Sequence, residues 1–140
     1  MDDQHDTSRV AVTIVDGPIG SDANEHVPGA GAVIRFDGVI RPTEDGKILR
    51  AIDYSAYQPM AEQQLRSIAQ AAMDHHDLLR VTLIHSQGMV PIHAVSLRLI
   101  IYAAHRKPAI QAMDEIIDTL KRDVPIWKKL IFDNDKETPH

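Results

Sequence analysis

The chain has 140 residues, 44% of them hydrophobic, enough for one domain with a core of its own. Its formal charge of -5 speaks against broad binding to nucleic-acid backbones, which needs an excess of Lys and Arg, and no run approaches the ~20 apolar residues of a membrane-spanning helix. The absence of cysteine excludes disulfides, thiolate metal sites and a cysteine nucleophile, so any sulfur in its chemistry comes from outside the chain.

Residues 1 to 8 are polar, with Asp2, Asp3 and Asp6 where a leader would carry basic and then apolar residues; they read as the frayed end of a soluble, cytoplasmic chain. From Arg9 to Val15, the alternation of Val10, Val12 and Ile14 predicts a half-buried strand that Asp16-Gly17-Pro18 ends. Ser21 to Gly31 reads as loop. Ala32 to Ile40 and Ile48 to Tyr57 are predicted strands, expected to pair as a hairpin through Arg41 to Gly46. Pro59 opens a first helix, with Ala61, Leu65, Ile68, Ala69 and Ala72 at helical spacing. Leu79 to His85 and Val95 to Ala103 are two further strands, with a bend expected at Gly88 to Pro91. Pro108 starts a second helix whose stripe is Ile110, Met113, Ile117 and Leu120. Pro125 stops it, since proline in a helix interior costs ~3 kcal/mol. A last strand follows near Ile126 to Phe132, then a polar tail from 133 to 140. The order β-β-β-α-β-β-α-β predicts an α+β domain over residues 9 to 132, a mainly antiparallel sheet with two main helices packed on it.

The segment from Leu120 to Lys129 holds Lys121, Arg122, Lys128 and Lys129 around Trp127. Cations at a helix C-terminus complement its unsatisfied carbonyls, which alone would account for Lys121 and Arg122. Pro125 adds a second possibility: the chain folds back as a strand, Trp127 packs as an anchor, and Lys128 returns toward Lys121 to give two amines for acid–base or nucleophilic work. His105-Arg106-Lys107 precede Pro108 where a strand hands over to a helix, a place where amide N–H groups favour anions; a solvated turn is the alternative. Arg41, after Gly38-Val39-Ile40, could add a planar guanidinium to an anion site or stand free at the surface. The eight histidines do not suggest a metal site: His75 and His76 are adjacent and share no helix face, and His85, His93 and His105 have no carboxylates at ligand spacing.

Taken together, Gly31 to Arg41, Tyr54 to Ala61, His105-Arg106, Leu120-Lys121 and Val124 to Lys129 resemble the large, catalytic subunit of molybdopterin synthase, the MoaE family, over roughly residues 10 to 132. The resemblance implies an α/β hammerhead-like fold and a homodimer, with a small ubiquitin-like sulfur-carrier subunit docked at each end to make a heterotetramer. It implies that the carrier's Gly-Gly C-terminal thiocarboxylate supplies sulfur to cyclic pyranopterin monophosphate, forming the molybdopterin dithiolene, with no metal and no cofactor. It further implies Lys121 and Lys128 as catalytic residues, Lys121 at the incoming tail and Lys128 at the pterin. Arg41, His105 and Arg106 would bind substrate, the last two its phosphate, with the site built across two copies. The chain departs from the family pattern at Ser55, Ser86 and His93-Ala94, and its tail stops short of a usual Gly and Trp. A homologue that keeps the fold and partner but has lost turnover is the alternative.

Overall fold

The computed structural model describes residues 9–21 and 25–133; the expected frayed end and the tail from residue 134 lie outside the described residues. In chain order the elements are β1 (Val10–Asp16), β2 (Ala32–Val39), β3 (Thr43–Glu44), β4 (Lys47–Ala56), α1 (Met60–His75), β5 (Arg80–Pro91), β6 (Val95–Ala103), α2 (Arg106–Asp123) and β7 (Ile126–Phe132). The fold is α+β, a mainly antiparallel sheet with two helices packed against it, as the sequence predicts. The strands join in the order β2-β6-β5-β4-β3, with β1 also on β5 and β7 also on β4. Among the described residues only β1 runs parallel to its neighbour, Val10 opposite Val81 through Asp16 opposite Gln87.

The hairpin expected between β2 and β4 does not form. Strand β6 is buried along almost its whole length and needs a neighbour on each edge; β2 takes one, with Ala32 opposite Ala103, and β5 takes the other. The residues between β2 and β4 make their own small hairpin, β3 with the start of β4, closed at Asp45-Gly46 with positive φ at both.

The bend expected from Gly88 to Pro91 is also absent, because β5 continues through it. Gly88 has φ +85, a conformation that side chains rarely adopt, and there the strand changes neighbours. Residues Arg80 to His85 pair with β6, whereas Gly88 to Pro91 pair with β4. The chain turns only afterwards, at Ile92 to Ala94, with His93 at φ +73.

This exchange divides the apolar interior in two. The larger cluster lies under the helices, with Val81 and Leu83 of β5, Leu97, Leu99 and Ile101 of β6, Leu65 and Ala69 of α1, and Ala112 and Ile116 of α2. The buried row of α2 is Ala109, Ala112, Ile116 and Leu120; it shares Leu120 with the expected stripe and otherwise lies one residue before it, and Ile110 is exposed. Alanines take two of these four buried positions, and Met113 and Ile117 pack partly buried beside them. The smaller cluster is Ile40, Leu49, Ile52 and Val90, joined by Tyr54, Leu130 and Phe132.

His75 and His76 do find a common partner. His76 lies past the end of α1 on extended backbone, so its Nε2 reaches Glu115 Oε1 at 2.9 Å while His75 Nδ1 lies 3.6 Å from Oε2. The contact ties the end of α1 to the middle of α2, and its hydrogen bond from His76 holds the Glu115 carboxyl below its ordinary value. Among the described residues no helix is long and apolar enough to cross a membrane.

Because both clusters hang on one strand, they should unfold together. Leu83→Ala in the larger cluster and Leu49→Ala in the smaller each remove a fully buried side chain and are expected to cost ~2–5 kcal/mol. In urea, each variant should keep a single transition at a lower midpoint by circular dichroism. A second, separate transition in Leu49→Ala would show that the smaller cluster is an independent unit.

Candidate functional site

The geometry of the site starts at the end of α2. Val124 leaves the helix on extended backbone, although its N–H still reaches the Leu120 carbonyl at 3.3 Å. The Pro125 carbonyl accepts from Tyr57 N–H at 3.1 Å, which pins the reversal against the end of β4. Strand β7 then runs back antiparallel to β4, with Lys128 opposite Tyr54 and Leu130 opposite Ile52.

Strand alternation sorts the side chains of β7 into two rows. Ile126 packs on the larger cluster, Leu130 packs on the smaller, and Lys128 lies between them in the same row. Trp127 and Lys129 take the opposite row. Trp127 is 61% exposed, so it is not the packed anchor expected from the sequence; its row faces away from the row that packs on the two clusters.

An open cavity of about 610 Å³ lies at the seam between the two clusters. Phe36, Leu97 and Leu120 form its wall on one side and Ile40, Leu49 and Ile52 on the other. Lys121 from the last turn of α2, Lys128 from β7 and Arg41 from the segment after β2 all line it. The structure thus brings three of the five expected site residues together.

The charges in this cavity are unevenly neutralised. Arg41 Nη2 is 3.1 Å from Glu44 Oε1. Asp37 is held by the buried guanidinium of Arg98, with Nε donating to Oδ1 at 2.7 Å and Nη2 to Oδ2 at 3.4 Å. Both carboxylates of the lining are therefore engaged by arginines. Among the described residues neither Lys121 nor Lys128 has an ion-pair partner, which leaves two ammonium groups available to an incoming anion.

His85 also lines the cavity, a residue the sequence offered only as a histidine without carboxylate partners. It follows Val81 and Leu83 on the inward row of β5 and is 6% exposed. Its Nδ1 lies 2.8 Å from the Ser86 carbonyl, and the Tyr54 ring meets it edge to face at 5.4 Å. Burial lowers the imidazole below its ordinary value, against the opposing pull of the Ser86 hydrogen bond. A polar residue in an inward strand row was the sequence signal that could have found it.

His105 and Arg106 lie elsewhere, in a second cleft of about 420 Å³ formed with Gly31, Ala104 and Lys107 at the start of α2. Gly31 is required there, since a Cβ on it would stand 2.4 Å from the Ala104 carbonyl oxygen. His105 precedes α2 without capping it, and the first turn carries no acidic residue, so the helix's N–H groups remain open to an anion. Arg106 and Lys121 are fifteen positions apart along α2, roughly 22 Å at 1.5 Å per residue. One copy of the chain therefore does not bring the two sets onto one small molecule.

Among the described residues, none of Ser55, Ser86, His93 and Ala94, which depart from the family pattern, lines the larger cavity. Ser86 is fully buried and its Oγ donates to the Gly17 carbonyl at 2.7 Å. Ser55 is exposed opposite Trp127 on β7, and His93 and Ala94 form the turn before β6.

The MoaE protein family model matches residues 14–123. The chain belongs to the MoaE family. This MoaE-family chain is 36% identical over 113 residues to a molybdopterin synthase catalytic subunit of Thermoplasma volcanium, covering 81% of this chain and 82% of that one. It is likewise 36% identical over 106 residues to the human molybdopterin synthase catalytic subunit, covering 76% of this chain but only 56% of the human protein. Among solved structures, a molybdopterin synthase from Staphylococcus aureus superposes with a TM-score of 0.76 at 30% identity, covering 86% of this chain and 90% of that one. A chain from a complex of subunits 1 and 2 of molybdopterin-converting factor from Helicobacter pylori shares the fold, with a TM-score of 0.68, 20% identity and 89% and 91% of the two chains covered. Family membership gives the MoaE-family chain the general role of a molybdopterin synthase catalytic subunit in cofactor biosynthesis.

The buried imidazole makes stability depend on pH with a defined sign. His85 in the folded chain titrates below its ordinary 6.5, so in mildly acid solution the unfolded chain binds a proton that the folded chain does not. Stability is full above that value and is lost as pH falls from it toward the folded one. Urea midpoints measured from pH 8 to pH 5 should decline more steeply for the native chain than for His85→Gln; parallel declines would show that the ring is not kept neutral by the fold.

Proposed function

We propose that this chain is a cytoplasmic sulfurtransferase, the catalytic subunit of a molybdopterin synthase. It would move sulfur from the C-terminal thiocarboxylate of a small ubiquitin-like subunit to cyclic pyranopterin monophosphate. The observation that carries this reading is the meeting of Lys121, Lys128 and Arg41 in one open cavity, with both ammonium groups lacking an ion-pair partner among the described residues.

Each transfer exchanges a carbon–oxygen bond of the pterin side chain for a carbon–sulfur bond and leaves the donor tail as a carboxylate. Both donor and substrate are anionic, and negative charge concentrates on sulfur and oxygen as the bonds change. Ammonium groups held in a partly apolar cavity stabilise that charge more than they would in water. In this scheme Lys121 acts on the donor's acyl end and Lys128 on the pterin as acid, base or charge stabiliser. The chain has no cysteine to carry sulfur itself, in keeping with an external donor.

His105, Arg106 and the open start of α2 form a phosphate site in this proposal, presented to the cavity of a second copy, where Arg41 completes it. The ~22 Å along α2 supports a homodimer for that reason. The Helicobacter pylori complex supports a second kind of subunit at the same fold; a carrier on each copy gives a heterotetramer.

The test mixes the chain with a thiocarboxylated small subunit and cyclic pyranopterin monophosphate and follows pterin products by mass spectrometry. The native chain should form the dithiolene, and Lys121→Ala and Lys128→Ala should each lower the rate on the order of 10²–10³-fold. Both lysines are exposed, so the variants should unfold within about 0.5 kcal/mol of the native chain. Partner binding without product from the native chain would favour the homologue that has lost turnover, and neither would sink the proposal.

A further inference from the structure

The lysines and Arg41 account for anionic groups in the cavity, but a pterin also presents neutral N–H and O–H donors. A lysine or arginine cannot accept a hydrogen bond, the two carboxylates of the lining are engaged by Arg41 and Arg98, and the hydroxyls of Tyr54 and Ser96 are bonded to each other. His85 differs from all of these. The Ser86 carbonyl can only accept, so the 2.8 Å contact fixes the proton on Nδ1 and leaves Nε2 with a lone pair. Among the described residues no protein group hydrogen-bonds to that Nε2, although the residue is 6% exposed and lines the cavity.

The ring is also held in place. Tyr54 packs on it edge to face, with an interplanar angle of 83°, and Tyr54 Oη shares a hydrogen bond of 3.0 Å with Ser96 Oγ. On the far side, His85 is registered against Leu97 of β6, which is itself a wall of the cavity. A fixed, uncharged acceptor among cations is a means of choosing a heterocycle's face rather than its phosphate.

We propose that His85 is a substrate-recognition residue, whose Nε2 accepts a hydrogen bond from an N–H or O–H group of the heterocycle in the cavity. Tyr54 is the positioning residue that orients the ring. This rests on the pterin reading of the cavity given above, and it adds a contact that discriminates among phosphorylated molecules. Burial supports it, because a ring kept neutral retains the acceptor.

The test measures binding of cyclic pyranopterin monophosphate by calorimetry without a sulfur donor, so no turnover intervenes. His85→Phe, which fills the space but accepts nothing, should weaken binding about tenfold, and His85→Gln, which restores an acceptor, should recover part of the loss. In the same protein, two-bond proton–nitrogen NMR correlations of the imidazole should show the Nδ1–H form when free and a shift of Nε2 when the pterin is added. Equal affinity in all three proteins, a proton on Nε2 in the free protein near pH 7.5, or an unmoved Nε2 would overturn the assignment while leaving the proposed function intact. A native chain that does not bind the pterin would sink both. Should His85→Phe not fold, His85→Gln and the Nε2 signal decide.

Discussion

Strand β5 is the member on which both halves of this molecule hang. Its first half lies between β1 and β6 beneath the helices, and its second half belongs to β4 and the smaller cluster. The exchange occurs at Gly88, whose positive φ would strain other residues. Two apolar clusters attach to different stretches of this one strand, and the cavity lies at the seam between them. The fold thus produces a concave site by dividing its core.

Placement of charge in that seam follows from the reversal after α2. A helix that continued would carry Lys128 away from Lys121; Pro125 stops it, and the pairing of β7 with β4 returns the second lysine to the cavity that the first one lines. The arginines then determine which charges remain available. Arg98 engages Asp37 from inside the sheet and Arg41 engages Glu44 at the rim, so the acidic side chains do not neutralise the amines. The anion site follows from which pairs form, not from net charge, which is negative for the whole chain.

Local patterns in the sequence located the elements well. Alternating valines and leucines, Pro59, Pro108 and Pro125 placed the strands and helices to within a few residues, and the lysine segment was legible because proline and basic residues occur together. Pairing was not legible. Nothing local says that β2 joins β6 instead of β4, because that choice follows from the burial of β6 on both faces. Trp127 misled for a similar reason: an aromatic among charges suggests an anchor, but the alternation of β7 gives the inward row to Ile126 and Leu130. For His85 the informative feature is a polar residue in the inward row of a strand, not its spacing from carboxylates.

The exposure of Trp127 has a consequence of another kind. It is the chain's only tryptophan, and it lies on the open face of β7 one residue from Lys128. The tryptophan emission of the chain therefore comes from a single indole in contact with solvent, attached to the strand that carries a lysine of the site. Any molecule that covers this face of β7 displaces water from that indole and moves its emission toward the blue, while a small ligand confined to the cavity on the other side leaves the colour nearly unchanged. The protein carries its own optical label for telling the two kinds of encounter apart.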